Sequence, residues 1–129
     1  MTELDPFEVN EAVIIVKLDL TLQGLEDPGY AATVDRLAEE HGPDLLRLGD
    51  PTAVRVELAR LVQEKVHASA PLWPTCPMCA THPHALHPQA RLGIPHWMCA
   101  TAGISAGAFN QLPRVRPPKE RKPKRGWFR

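Results

Sequence analysis

All three cysteines of this 129-residue chain lie in one short stretch, together with four of its six histidines. Cys76 and Cys79 form a Cys-Pro-Met-Cys motif, and Cys99 follows Trp97 further along. A Cys-x-x-Cys turn presents two thiolates to one tetrahedral ion, and thiolates and imidazoles are ligands that zinc prefers. The residue types therefore predict a zinc site that contains all three cysteines.

The fourth ligand is expected to be a histidine, unless water or another chain supplies it. His82 ranks first because it lies three residues after Cys79 and directly before a proline, close to the Cys-x-x-Cys turn. His96 ranks low because, three residues before Cys99 in an extended chain, it points to the opposite face. The candidates are His82, followed by the alternates His84, His87 and His96.

The predicted zinc is structural. No Asp or Glu occurs between residues 65 and 119, so this segment lacks the carboxylate that usually acts as general base. The main alternative is a redox pair of Cys76 and Cys79, but such pairs normally lie between a strand and a helix in an alternating pattern that this region lacks. We therefore expect a structural zinc cofactor and no enzymatic activity, with a zinc hydrolase as the minor alternative.

Three Asp-Pro dipeptides mark the starts of predicted helices in the first half of the chain. Asp is a preferred N-cap and Pro a preferred first helical residue. Helices are therefore predicted to begin at Asp5-Pro6, Asp27-Pro28 and Asp50-Pro51. Apolar residues then recur at helical spacing, which favours a bundle of three helices.

The ends of the predicted helices are marked by glycine. Gly24 and Gly42 are predicted to end the first and second helices. A further short helical turn is expected over residues 43–48, where three leucines would cap the core. Residues 9–22 also alternate like a strand, but the start signal before them favours a helix.

A change in composition near residue 70 predicts a boundary. Pro71 and Pro74 disfavour helix and push the residues before them toward extended conformations. Residues 94–99 then read as an extended segment that can pair back as a strand and bring Cys99 to the zinc site.

The predicted fold class is mainly α, with an N-terminal three-helix bundle, a small zinc-ribbon-like β module and an extended basic arm. Trp73 and Trp97 flank the predicted ligands and are expected to pack over the site and exclude water. The predicted domains are an acidic helical domain at 1–70, the zinc-binding module at 71–112 and the Pro-rich arm at 113–129.

The formal net charge of zero conceals an uneven distribution. Residues 1–70 have a net charge of −8, residues 71–112 of +1 and residues 113–129 of +7. The last segment cannot bury a core and is expected to contact a partner. Its predicted partner-binding residues are Arg114, Arg116, Lys119, Arg121, Lys122, Lys124, Arg125, Trp127 and Phe128.

A resemblance to a known family rests on three motifs around the predicted site. They are Trp73-Pro74-Thr75-Cys76-Pro77-Met78, His82-Pro83 and Trp97-Met98-Cys99. These motifs resemble the small zinc-ribbon-like proteins, mostly uncharacterised, of high-GC actinobacteria and their phages. The resemblance covers roughly residues 72–110. It implies that the zinc ligands are Cys76, Cys79, His82 and Cys99, and it does not indicate an enzymatic activity. It departs after Cys99, where Ala100-Thr101-Ala102-Gly103 replaces the usual proline-containing knuckle.

The predicted function is that of a non-enzymatic, zinc-stabilised adaptor or structural component of a larger protein assembly, for which the resemblance implies a phage particle. The arm is expected to dock a neighbouring subunit through a protein–protein interaction. The alternative is a nucleic-acid-binding accessory or regulatory protein that uses the basic arm and the zinc module. No run of about 18 apolar residues occurs, so no membrane span is expected. Thiols clustered with histidines predict a reducing compartment, hence a cytoplasmic location, or the virion for a phage-encoded chain.

Overall fold

The computed structural model describes residues 4–114. Three helices come first, α1 at Phe7–Leu22, α2 at Pro28–Leu46 and α3 at Pro51–Val66. Three strands follow, β1 at His87–Arg91, β2 at Ile94–Cys99 and β3 at Ile104–Ala108. They form one sheet in the order β1-β2-β3, with both neighbouring pairs antiparallel. None of the helices in this part of the chain is both long and apolar enough to cross a membrane.

The predicted arm lies almost entirely outside the described residues. Of its partner-binding candidates only Arg114 is described, and it is exposed. The remaining candidates, from Arg116 to Phe128, lie outside the described residues, so their contacts stay a prediction.

The three predicted helix starts are present. The Asp27 carboxylate accepts a hydrogen bond from the backbone N–H of Gly29 at 2.8 Å, and the Asp50 carboxylate accepts one from Ala53 at 3.2 Å. These bonds satisfy donors that the first turn of a helix leaves unpaired. The first start, by contrast, lies one residue later than predicted, because Pro6 and not Asp5 is the N-cap of α1.

The second helix continues through the residues predicted to end it. The expected stop at Gly42 and the separate turn over 43–48 are wrong, since one helix extends through Gly42 and the following proline to Leu46. Leu45 explains the continuation, because it is buried in the core. Burying a leucine stabilises by about 2 kcal/mol, which offsets much of the roughly 3 kcal/mol that a proline costs inside a helix.

The central strand β2 coincides with the predicted extended segment. It is joined to β1 by the two-residue turn Leu92-Gly93, whose φ angles of 52° and 77° are those of a type I′ hairpin turn. No strand was predicted over β1 or β3, so the sequence indicated only the middle of the sheet. Both strands have five residues, and Ile104 is their only β-branched or aromatic residue.

One hydrophobic core connects the helices to the sheet. It contains buried residues of all three helices, and α3 packs against β1 and β2. The second half of the chain contributes to the same core, among others, Trp73, Leu86, Trp97, Phe109 and Leu112. Three helices followed by a three-stranded sheet that shares their core describe an α+β protein, and the predicted mainly-α class is not supported. The boundary near residue 70 stays a prediction.

Candidate metal centre

Four side chains with metal-ligating atoms meet where β2 ends. Cys76, Cys79, His84 and Cys99 each offer one such atom, and the four atoms lie within 4.8 Å of one another. The Sγ atoms of Cys79 and Cys99 are 3.7 Å apart, and Nε2 of His84 is 3.6 Å from Cys99 Sγ. Ordinary zinc bond lengths in a tetrahedron separate two sulfurs by about 3.8 Å and a sulfur from a nitrogen by about 3.6 Å. Both distances therefore match the edges of a tetrahedral zinc site, whereas a disulfide needs sulfurs about 2 Å apart.

Backbone pairing brings Cys76 and His84 together. The segment 75–85, called the ligand loop here, is closed by an antiparallel bridge between Thr75 and Ala85. Inside that bridge, the N–H of Cys76 donates to the carbonyl of His84 at 3.0 Å. The chain reversal therefore places residue 84 beside the first cysteine of the motif.

His82, the first-ranked candidate for the fourth ligand, is not in the four-residue group. Its backbone N–H donates to the carbonyl of Cys79 at 3.0 Å, and the residue is exposed. This bond closes a turn between residues three apart, so closeness in sequence to Cys79 did not bring the ring to the sulfurs. The structure places the second-ranked His84 there instead.

The two remaining histidine alternates are also outside the group. His87 lies at the start of β1, with Nε2 3.3 Å from Oε1 of Gln89. His96 lies in β2 with Nδ1 2.6 Å from Oγ of Ser105. Neither residue is among the four whose ligand atoms lie together.

The ring of His84 is held in the tautomer that a metal ligand needs. Its Nδ1 lies 3.0 Å from the carbonyl oxygen of Ala85. Since a carbonyl can only accept, Nδ1 carries the proton of the neutral ring, and Nε2 keeps its lone pair on the side of Cys99. Metal-bound histidines commonly donate their other N–H to a carbonyl in this way.

Backbone N–H groups donate to two of the three sulfurs. Met78 donates to Cys76 Sγ at 3.4 Å, and Ala102 donates to Cys99 Sγ at 3.3 Å. The Ala102 bond lowers the pKa of Cys99 to about 7, because a donated N–H favours the thiolate. The hydrogen bond of the Cys79 thiol to Cys99 favours the protonated form and raises the pKa of Cys79 to about 11. Cys99 therefore forms a thiolate more readily than Cys79 does, and a bound metal ion would displace the remaining protons.

Two glutamines attach the ligand loop to the helices. Nε2 of Gln63 in α3 donates to the carbonyls of Trp73 at 3.1 Å and of Leu86 at 2.6 Å, which lie on either side of the loop. Gln23, directly after α1, accepts from the N–H of Thr75 at 3.0 Å. The helical half of the chain thus determines where the ligand loop lies.

A buried aspartate connects the sheet to α1. The carboxylate of Asp19 accepts from Nε1 of Trp97 at 3.1 Å and from the backbone N–H of Asn110 at 2.8 Å. Its backbone carbonyl accepts from Nε1 of Trp73 at 3.3 Å. Burial raises the pKa of Asp19 to about 6, since desolvation disfavours the charged form.

The contacts of Asp19 with Trp73, Trp97 and Asn110 are called the joint between α1 and the sheet here. That the two tryptophans cover the metal site stays a prediction. Their rings meet edge to face at 5.4 Å, and Phe109 stacks on Trp97 at 4.6 Å. Sequence reasoning missed Asp19. The signal that could have found it is its place on α1, because it falls on the same helical face as the buried Ala12 and Val16. A carboxylate on a buried face requires donors such as indole N–H groups.

Fold and site together define a small α+β protein whose helical half holds a loop that carries a candidate Cys3His metal centre. The chain belongs to the family described as a domain of unknown function, DUF8819, whose model matches residues 6–109. The matched range contains all six elements and all four residues of the cluster. Neither the curated proteins nor the solved structures contain a match to the chain.

Proposed function

We propose that this protein is a non-enzymatic, zinc-stabilised adaptor or structural component of a larger protein assembly. The observation that carries the proposal is the group of four ligand atoms, in which two distances match the edges of a tetrahedral zinc site. Three thiolates and one imidazole form one of the usual ligand sets of structural zinc. Zinc is therefore the metal that these donors fit best.

A closed site favours a structural role over catalysis. With Cys76, Cys79, His84 and Cys99 bound, a tetrahedral ion has no position left for water or substrate, whereas catalytic zinc keeps one open. Two of the ligands, Cys76 and Cys99, are buried. Among the described residues, no Asp or Glu belongs to the group of ligand atoms, so the group itself holds no carboxylate to act as a general base.

Zinc in this position would link the ligand loop to the end of β2. Ligation would join Cys79 in the ligand loop to Cys99 at the end of β2. The binding energy of the metal would then contribute to folding. The function then lies in the surfaces that the metal holds in place. Docking of a neighbour through the arm, a phage particle as the assembly and nucleic acid as the alternative partner stay predictions.

Native mass spectrometry and cobalt substitution test this proposal together. One zinc per chain is the expected stoichiometry, and Cys76→Ser should abolish it. The cobalt-substituted protein should give the intense visible absorption of a tetrahedral site with sulfur ligands and no bound water. A folded chain that binds no metal would contradict the zinc proposal, and a five-coordinate cobalt spectrum would contradict the structural role.

A further inference from the structure

The outward face of α1 is apolar although no other described residue covers it. Phe7, Ile14 and Leu18 are 57%, 52% and 48% exposed, and their spacing places them on one face of the helix. The opposite face of the same helix is packed in the core. A helix that is apolar on both faces is expected to be covered on both. These three residues, called the α1 stripe here, therefore mark an interaction surface.

Acidic residues border the α1 stripe. Glu11 lies one helical turn after Phe7 and one before Ile14, and the ion pairs of residues 4–114 do not include it. Asp35 of α2 pairs with Lys17 of α1 at 2.9 Å, so the two charges of that part of the border neutralise each other and the unpaired acids among the described residues of the border are Glu11 and Glu39. The helices run antiparallel, since Lys17 pairs with Asp35 and the N–H of Leu4 donates to the carbonyl of Leu46. Glu39, which is exposed one turn after Asp35, is therefore level with the middle of α1. The ligand that fits an apolar stripe with this border has apolar anchors and basic flanks.

Four residues before the end of the described residues, the chain contacts the buried face of α1, opposite the α1 stripe. The N–H of Asn110 donates to the carboxylate of Asp19 in α1 at 2.8 Å, and Arg114 is the last described residue. Residues 115–129 contain seven Lys and Arg, one Glu and the pair Trp127-Phe128. An extended chain from 115 to 127 reaches up to about 43 Å, and a helix of the length of α1 spans about 24 Å. The path around the helix, from its buried face to its outward face, adds roughly 16 Å. The sum stays within the reach of the segment, so Trp127 can reach the α1 stripe.

We infer that residues 115–129 bind the α1 stripe of their own chain, with Trp127 and Phe128 as the apolar anchors. The basic residues of the segment complement the acidic border, and the short tether gives an effective concentration on the order of millimolar. A free peptide of the same composition, at a much lower concentration in the cell, would occupy the stripe far less. This inference does not depend on the metal site. It adds one feature to the proposed function: a neighbouring protein that binds residues 115–129 must compete with the α1 stripe for them.

Photocrosslinking of the full-length, zinc-loaded protein tests the inference. Phe128 is replaced by p-benzoylphenylalanine, and the crosslinked peptides are identified by mass spectrometry. The expected product is monomeric and joins residue 128 to the α1 peptide. The double substitution Ile14→Gln with Leu18→Gln should lower the yield about tenfold, because it removes apolar surface that holds the anchors without changing the charge. Leu92→Gln, at a hairpin residue that is 98% exposed, is the matched control and should leave the yield unchanged.

A second variant tests the charge complementarity without altering the stripe. Glu11→Lys with Glu39→Lys should lower the yield several-fold, and so should 1 M salt, where the screening length falls to about 3 Å. Crosslinks between two chains, crosslinks to another surface, or a yield that none of these changes lowers would each overturn the inference. Zinc measured on the same samples separates this result from the metal proposal, since a fully zinc-loaded chain without the α1 crosslink refutes only the docking of the segment.

Discussion

His84 and His82 are separated by a single proline, yet only one of them lies at the sulfurs. We predict that His84→Gln lowers the zinc affinity by at least about a hundredfold, more than the 10–100-fold typical of losing a partner outside the ligand set. His82→Gln is the matched control and should bind zinc like the wild type, because His82 is exposed and outside the group. Competition with a chromogenic chelator measures both. An equal loss in the two variants would mean that the loop adopts another arrangement in the metal-bound protein.

Asp19 is the residue on which the joint between α1 and the sheet depends. Both donors to its carboxylate, the indole of Trp97 and the N–H of Asn110, require an oxygen. Asp19→Asn supplies only one oxygen and places an amide N–H₂ against the other donor, so we expect a loss of about 1–3 kcal/mol in the free energy of unfolding. Urea denaturation measures it. Asp35→Asn, which breaks an exposed ion pair, should cost less than about 1 kcal/mol, and a similar small effect at Asp19 would contradict its role.

The raised pKa of Asp19 predicts a pH dependence with a definite sign. Its pKa is raised from 3.8 to about 6, so the folded protein binds this proton more tightly than the unfolded chain does. The resulting stabilisation is fully present below the unfolded value and is lost as the pH rises from about 4 through about 6. The stability of the wild type relative to Asp19→Asn should therefore fall across this interval in urea titrations at several pH values. Zinc binding also depends on pH, because protons compete with zinc for the ligands. This effect on stability is the same in both proteins and cancels in the comparison.

At the scale of elements, α3 positions the ligand loop through one side chain. Gln63→Ala removes the donors to the carbonyls of Trp73 and Leu86, which should cost about 1–3 kcal/mol of stability. It should also weaken zinc binding, because the loop loses its attachment on both sides. Thermal unfolding and calorimetric zinc titration measure the two effects. Gln89→Ala, an exposed glutamine of β1, is the control, and unchanged zinc affinity in Gln63→Ala would show that the loop is held without α3.

At the scale of the whole molecule, the shared core predicts that helices and sheet unfold together. Far-UV circular dichroism reports on the helices, and the fluorescence of the buried Trp73 and Trp97 reports on the joint. Both signals should change in one coincident transition, and metal chelation should move it to lower denaturant by the same amount for each. Two separate transitions, with the helical one insensitive to chelation, would instead support an independent domain at residues 1–70.

Local signals in the sequence were sufficient for much of the architecture. Asp27 and Asp50 act on backbone N–H groups two and three residues away, so their helix starts could be predicted from a few neighbouring residues. The extended segment at 94–99 was predicted for the same reason, whereas the extension of α2 to Leu46 was not. A leucine that is buried by other helices overrides a glycine and a proline, and this competition is invisible in the local sequence.

By itself, the sequence determined that three thiols and a histidine would meet, because cysteine and histidine types at this spacing have few other uses. Only the tertiary structure decided which histidine it would be. His84 reaches the sulfurs because the Thr75–Ala85 bridge reverses the chain opposite Cys76. The contacts of Asp19 were also decided only by the tertiary structure, since its partners Trp97 and Asn110 lie 78 and 91 residues away in the sequence. Ligand types depend on side-chain chemistry, which the sequence states directly, whereas ligand choice depends on long-range backbone pairing and burial, which form only when the chain folds.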